Sequence, residues 1–320
     1  MDAKDLALRV TEGQRAALAR LVTLVESRRP QDRRVAAEVA QRLRGGSVAH
    51  RVGVSGPPGA GKSTLIEALG VALCQAGQRV AVLAVDPSSR RTGGALLGDQ
   101  ARMTRLSQWP SAFVRPTASG STLGGVHART ADVVEVLEAV GFDWVLVETV
   151  GVGQSEVEVL HAVDTLLLLA LPGSGDELQG MKRGIVEGTD VLWVNKADGA
   201  TESLAHLAQR QWLAALQLHR PRQPGWQVPV LCGSALANKG ISELIEALRT
   251  HRAHLETTGA WGVVRRAQRR DRVAAGVRDG VWSLFLRDPS HAAAVEAALL
   301  AADDEHVPVE VLVSSVLSAD

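Results

Sequence analysis

Residues 56–63, Gly56-Pro57-Pro58-Gly59-Ala60-Gly61-Lys62-Ser63, keep the spacing G-x-x-x-x-G-K-[ST]. Each residue type in that pattern has a task on a polyphosphate. Glycines let the backbone wrap close to phosphate oxygens, so that N–H groups and a helix N-terminus face the negative charge. The Lys62 ammonium has the reach to bond β- and γ-phosphates, and the Ser63 hydroxyl is a hard oxygen ligand suited to Mg²⁺. Thr64 follows in the same turn and completes the expected nucleotide-contacting run. A glycine-rich turn can arise by chance. Here an apolar run at 51–55 precedes it and a helix-periodic stretch at 62–76 follows, the strand–loop–helix context that the chemistry needs.

A second cluster speaks for the base. Asn195-Lys196-Ala197-Asp198 closes the apolar run 191–195, and ligands of α/β sheets gather at strand ends. A carboxylate at Asp198 accepts two hydrogen bonds from guanine N1–H and N2–H₂. Adenine offers no such pair and would leave the acid unpaired. Asn195 is expected to tie this loop to the phosphate loop or to the base, and the Lys196 stem to lie over the base plane. Ser234-Ala235-Leu236 follows the last apolar run, where a backbone N–H can meet guanine O6. Alone, N-K-x-D is common and Ser-Ala is usually a helix cap. In this order, downstream of a phosphate loop, they favour GTP and GDP over adenine nucleotides.

The metal and the hydrolytic step draw on other segments. Glu148-Thr149-Val150-Gly151 ends the apolar run 143–147, so Glu148 can hold Mg²⁺ directly or through water and the Gly151 N–H can sense a γ-phosphate. Asp86 and Asp99 complete an oxygen set with Ser63 and Glu148 that suits octahedral Mg²⁺. Asp99 reads equally well as a solvated acid at a helix start. Val152, not a glutamine, follows Gly151, and Gln154 comes later. Hydrolysis is therefore expected to be slow until a moving segment or a partner completes the site. The catalytic set on this reading is Lys62, Glu148, Gly151, Gln154 and Lys182. Arg90 and Arg91 are further cations that could steady developing charge, although each reads as well as a solvated surface residue.

Around these residues short apolar runs alternate with amphipathic stretches. Strands are expected at 51–55, 79–86, 143–148, 164–171, 191–195 and 228–232. Helices are expected at 62–76, 95–107, 131–139, 176–187, 202–218 and 241–255. That alternation predicts a doubly wound, mostly parallel α/β sheet of the P-loop NTPase kind. Residues 4–45 read as two helices punctuated by Pro30. Residues 261–286 read as a basic helix, 290–302 as another, and Pro308 as the first residue of a last one. The organisation expected is a helical extension at 1–45, a nucleotide-binding core at 46–258 and a helical dimerisation or partner extension at 259–320.

Bulk properties narrow the partners. Lys plus Arg and Asp plus Glu are 35 each, so no basic excess points to nucleic acid. No apolar run is long enough to span a bilayer, and the acidic start Met1-Asp2-Ala3-Lys4-Asp5 lacks the marks of a leader. Cys74 and Cys232 form neither a metal spacing nor a disulfide framework. A cytoplasmic protein is expected, with neither nucleic acid nor membrane among its partners.

The runs 86–99 (Asp-Pro-Ser-Ser to Leu-Gly-Asp), 148–156 (Glu-Thr-Val-Gly-Val-Gly-Gln-Ser-Glu), 172–180 (Pro-Gly-Ser-Gly-Asp-Glu-Leu-Gln-Gly) and 194–198 (Val-Asn-Lys-Ala-Asp) resemble the MeaB/MMAA family, also known as ArgK-type transport kinases. The resemblance runs from about residue 6 into the helices at 261–286 and is loose over 307–320. It implies a homodimeric SIMIBI-class GTPase that binds Mg²⁺. Its client would be an adenosylcobalamin-dependent acyl-CoA mutase, methylmalonyl-CoA mutase or a close relative, whose cofactor loading it gates and which it protects or reactivates. It also implies switch segments at 88–99 and 151–156 and a third mobile segment at 173–183. In that third segment Asp176, Gln179 and Lys182 or Arg183 share a helix face at i, i+3 spacing.

Two other classes share the phosphate loop. A nickel-carrying GTPase would need a Cys/His cluster. The only close histidine pair, His251 and His254, reads as a solvated helix face. A kinase of a transport binding protein would need a second substrate site, and none is visible. The Arg-rich stretch 265–272 reads as a partner surface or, residue by residue, as a solvated face.

Overall fold

The computed structural model describes residues 2–27, 29–43, 48–86, 103–118, 125–149, 159–173, 183–218, 221–302 and 308–318. In chain order the elements are α1 (Ala3–Thr11), α2 (Arg15–Glu26), α3 (Pro30–Leu43), β1 (His50–Ser55), α4 (Lys62–Gln75), β2 (Val80–Asp86), α5 (Thr104–Ser107), β3 (Ala112–Ala118), α6 (Gly125–Ala139), β4 (Trp144–Glu148), β5 (Thr165–Ala170), α7 (Arg183–Glu187), β6 (Val191–Val194), α8 (Glu202–Gln217), β7 (Val230–Cys232), α9 (Ile241–Thr257), α10 (Ala260–Phe285), α11 (Pro289–Ala301) and α12 (Val309–Leu317). Two compact units result, residues 1–268 and residues 269–320.

In the first unit the strands form one parallel seven-stranded sheet in the order β3-β2-β4-β1-β5-β6-β7. Alternation with period 2 gives the sheet two apolar faces. Val52, Val54, Leu167, Leu169 and Trp193 meet Leu65, Ile66 and Leu69 of α4 and Leu244 and Leu248 of α9. Val145, Val147, Leu166, Leu168 and Leu192 belong to the other core, with Val134 and Leu137 of α6, Trp212 of α8 and Leu6, Leu21 and Val39 of the N-terminal helices. Strands buried on both sides read as continuous apolar runs, which is why β1, β4, β5 and β6 were legible.

Three elements depart from the sequence reading. The N-terminal stretch is three helices, because the chain turns at Gly13, where φ is +78°, before α2 begins. β3 was not expected. Its apolar run, Ala112-Phe113-Val114, is only three residues long before Arg115, and it holds a proline, which fits its place at the sheet edge. Pro308 precedes α12 as its N-cap instead of opening it. Of the expected helices at 95–107 and 176–187, the portions 95–102 and 176–182 lie outside the described residues.

The solvated face that helical spacing predicts at His251 is not there. His251 is fully buried, beneath the N-terminal ends of the central strands. Thr165 Oγ1 lies 2.7 Å from both His251 Nδ1 and His50 Nε2. His251 Nε2 stands 3.4 Å from Asp190 Oδ1 without hydrogen-bond alignment. Asp190 Oδ2 accepts from the Leu166 N–H at 2.8 Å and from Arg222 at 3.3 Å. Helical periodicity could not show this, because Asp190, Thr165 and His50 stand 61 to 201 residues away in sequence.

Burial, with the charges of Arg252 and Arg265, pushes the His50 imidazole down to about 3. Burial, with His50, Arg222 and His254 and against Asp164, takes His251 to about 3. Burial raises Asp190 to about 6, opposed by Arg222 and the Leu166 N–H and aided by Asp164. Below the ordinary histidine value the unfolded chain takes up two protons that the folded one refuses, so stability falls as pH falls. Asp190 acts the other way between the ordinary carboxylate range and about 6, where only the folded chain keeps its proton. The histidines outweigh it. Stability is expected to drop by on the order of 2 kcal/mol between pH ~6.5 and ~5. Urea midpoints at the two pH values measure it. His251→Asn should flatten the dependence to well under half, and an unchanged slope would mean that His251 is charged in the folded protein.

The Arg-rich stretch also divides. Arg265 is no solvated cation. Its guanidinium bonds both Asp164 oxygens at 2.9 and 2.8 Å, Glu138 Oε1 at 2.7 Å and the Ala49 carbonyl at 2.7 Å, and it lies 4.3 Å over the Trp261 ring. Gln268 Nε2 donates to the Leu160 and Val163 carbonyls. The start of α10 is thereby tied under the sheet. In the second unit α10 exposes Val273, Val277 and Val281, spaced four residues apart, together with Trp282 and Leu284. Among the described residues no helix is long and apolar enough to cross a membrane.

Candidate nucleotide site

β1 lies between β4 and β5 in the sheet and delivers its C-terminal end, Ser55, to the loop 56–61. Gly61 has φ +87°, and a Cβ there would stand 2.6 Å from Asn195 Nδ2. Only glycine lets the loop turn into α4 with Asn195 so close. Ala60 is buried, Pro58 and Gly59 are exposed, and Pro57 is half-buried. Lys62 is 8% exposed. Its Nζ donates to the Gly56 carbonyl at 2.8 Å and the Pro57 carbonyl at 3.2 Å. The ammonium is thus held across the loop, where incoming phosphate oxygens would share its three donors. Thr64, one residue past Ser63, is exposed.

Ser63 Oγ donates to Glu148 Oε1 at 2.8 Å. Register explains the meeting: Val54 of β1 pairs with Glu148 of β4, so both strands end at the same edge beside the first turn of α4. Two hard oxygens in one spot, beside a loop shaped for phosphate, fit Mg²⁺. The neighbouring Thr149 hydroxyl lies 3.1 Å from Ser55 Oγ and fastens the end of β4 to the loop root. Asp86 ends β2, the strand beside β4, and its side chain lies outside what is described. Asp99, Gly151, Gln154 and Lys182, like Arg90 and Arg91, lie outside the described residues.

The base side is built on β6 and β7. Asn195 is 3% exposed. Its Nδ2 donates to the Ala60 carbonyl at 2.8 Å, and its Oδ1 accepts from the Ala235 N–H at 3.1 Å and from Trp193 Nε1 at 3.3 Å. One amide therefore joins the phosphate loop to the 234–236 turn. Lys196 is exposed with φ +59°, a conformation uncommon outside glycine. The half-buried Asp198 is held by its backbone, the Thr201 hydroxyl donating to the Lys196 and Asp198 carbonyls at 2.6 and 2.9 Å. Ser234 and Lys239 form an antiparallel bridge that closes the turn, and Ser234 Oγ accepts from the Ala237 N–H at 3.1 Å. The Ala235 N–H points into the protein toward Asn195, while Leu236 stands exposed at the rim.

Trp193 was not singled out from the sequence. The signal was present as a tryptophan two residues before the Asn of N-K-x-D, with Gly233 and Gly240 flanking the opposite turn. Nothing in the spacing says that the three touch.

The geometry has counterparts. The family described as methylmalonyl Co-A mutase-associated GTPase MeaB matches residues 18–290. A probable GTPase of Mycobacterium tuberculosis is 51% identical over 286 residues, 89% of this chain and 85% of that one. The mouse methylmalonic aciduria type A homolog, a mitochondrial protein, is 40% identical over 292 residues, 88% of this chain and 70% of that one. A crystal structure of a LAO/AO transport system kinase superposes with a TM-score of 0.76 at 31% identity, covering 98% of this chain and 96% of that one.

Proposed function

The chain belongs to the MeaB family of P-loop GTPases, and from that premise we propose that it acts as a nucleotide-gated chaperone of an adenosylcobalamin-dependent acyl-CoA mutase. The client would be methylmalonyl-CoA mutase or a close relative. In this role GTP hydrolysis times cofactor loading and protects or reactivates the mutase. The observation that carries the nucleotide part is the Asn195 amide, bonded at once to Ala60 of the phosphate loop and to Ala235 of the base turn. The names of the family and of the mouse relative support the client.

On this reading residues 56–64 hold the phosphates. Asp198, with Asn195, Lys196 and the turn Ser234, Ala235 and Leu236, reads guanine. Ser63 and Glu148, with Asp86 and Asp99, would hold Mg²⁺, whose charge would neutralise β- and γ-oxygens. Lys62 steadies the same oxygens. Gly151, Gln154 and Lys182 are the residues proposed to complete hydrolysis, slowly alone and faster with the partner bound. The exposed apolar side of α10 in the second unit, Val273, Val277 and Val281, supports assembly as a homodimer, and a cytoplasmic location goes with the same reading. A nickel-carrying role loses its one histidine pair, since His251 is buried against Thr165.

The test is GTP turnover with and without the organism's adenosylcobalamin-dependent mutase, with ATP as control. A low basal rate should rise when the mutase is added and stay unchanged with ATP. Tight GTP binding with no response to the mutase would overturn the client while leaving the GTPase. Label passing from γ-labelled GTP to a protein acceptor would point to a kinase instead.

A further inference from the structure

Trp193 is the penultimate residue of β6, just before the base-recognition loop, and is fully buried. Its indole touches the base side of the nucleotide site at Asn195, Gly233 and Gly240. The ring edge lies so close to Gly233 that a Cβ there would stand 2.2 Å from Cη2, and one at Gly240 would stand 2.9 Å away. Gly233 is also where β7 passes into the 234–239 turn, its N–H donating to the Val194 carbonyl at 3.0 Å and its carbonyl accepting from the Ala197 N–H at 2.9 Å. The tryptophan ring is therefore the floor on which that turn rests.

The indole N–H does a second thing. A side-chain amide has a donor end and an acceptor end, and its orientation is settled by its neighbours. Asn195 Oδ1 receives two N–H donors, Trp193 Nε1 at 3.3 Å and Ala235 N at 3.1 Å. A flipped amide would set its own N–H₂ against both. The orientation that results sends Nδ2 to the Ala60 carbonyl at 2.8 Å. Without the indole N–H, only the Ala235 N–H, on a turn that has lost part of its floor contact, holds the acceptor end.

We propose that Trp193 is a positioning residue for guanine selectivity, acting through Asn195 and the 234–239 turn to set the base-recognition loop against the phosphate loop. This rests on the GTPase reading above. It adds to that reading a residue that never meets the nucleotide. Phosphate binding depends on loop N–H groups and Lys62, so an adenine nucleotide, gripped mainly by its phosphates, should be little affected by the loss.

Full-length Trp193→Phe keeps an aromatic ring in the core and removes the N–H. Trp193→Met, which fills volume without a donor, is carried in parallel. A fluorescent GDP analogue is competed with GDP and with ADP, and thermal midpoints are recorded beside them. In both variants GDP affinity should fall about three- to tenfold, the cost of one neutral hydrogen bond plus a loosened turn, and the GDP-over-ADP ratio should contract by a similar factor. In an Asn195→Ala background the same tryptophan change should move the ratio much less, because the two residues act as one unit. Equal losses for GDP and ADP, or full additivity with Asn195→Ala, would make Trp193 a core residue only and overturn the proposal. Asp198→Asn is the comparator. A ratio unmoved by Asp198→Asn would show that the guanine reading itself has failed, a different result from failure at Trp193 alone.

Discussion

Lys62→Ala is expected to weaken GTP and GDP binding by at least about a hundredfold. The ammonium is the cation held across the loop, 2.8 Å from the Gly56 carbonyl and 3.2 Å from the Pro57 carbonyl, and it is nearly removed from water. Charge-assisted bonds to phosphate oxygens contribute about 1.5–3 kcal/mol each, and two of them account for a loss of that size. Lys62→Arg should not rescue. The guanidinium is a planar fork that needs a wider seat than a point charge on a flexible stem. Calorimetric titration with GDP reads the loss directly. The apo protein should unfold near its usual midpoint, since the two carbonyls it releases sit at a partly exposed loop and can turn to water. Unchanged affinity would remove the loop from the nucleotide site and with it the phosphate half of the proposed function. Turnover at saturating GTP should fall further than affinity, because Lys62 faces the oxygens that gain charge as the γ-phosphoryl leaves.

What could be read along the chain and what could not divide by distance in sequence. The phosphate loop was legible because its parts are contiguous and its flanking strand and helix are local patterns. Asn195 to Asp198 was legible because β6 is a buried apolar run with the motif at its end. The meeting of Ser63 and Glu148 followed only in outline from two strand ends. Their 2.8 Å contact depends on β1 and β4 being neighbours, an order that no local pattern carries. β3 escaped because an edge strand need not be apolar. His251 reads as solvent-facing in the sequence because a helix with polar residues at i and i+3 looks exposed, and the partners that bury it, Thr165 and Asp190, lie at the start of β5 and just before β6. Trp193 escaped for a related reason: a tryptophan in a buried strand looks like core, and its polar edge is informative only once Asn195 and Gly233 are seen beside it.

Arg265 is the strongest case of this kind, and its removal should be the costliest single change outside the nucleotide site. Its guanidinium satisfies Asp164, which is almost fully buried, and shares Glu138 with Arg51. Arg265→Ala leaves the Asp164 carboxylate with the Arg51 backbone N–H at 3.0 Å and no cation at bonding distance among the described residues, besides losing the stack on Trp261. Breaking one side of a buried ion cluster costs about 3–5 kcal/mol, because the charge left behind stays desolvated. Arg265→Lys should recover part of this, since it restores the charge but not the bidentate fork. Arg266→Ala, one residue on and exposed, should change stability by less than about 0.5 kcal/mol. Urea midpoints of the three variants separate the cases, and similar small losses for Arg265→Ala and Arg266→Ala would return the whole basic stretch to the solvated face that its sequence suggests. Nucleotide binding should survive in Arg265→Ala at concentrations of urea where the protein is still folded. Arg265 grips Asp164 and Ala49, at the ends where β5 and β1 begin, whereas the phosphates and base are proposed to bind at the ends where those strands finish. A helix anchored at one edge of the sheet and a nucleotide held at the other can influence one another only through the strands between them. That makes Arg265→Lys the variant in which to ask whether the mutase response depends on how firmly α10 is rooted.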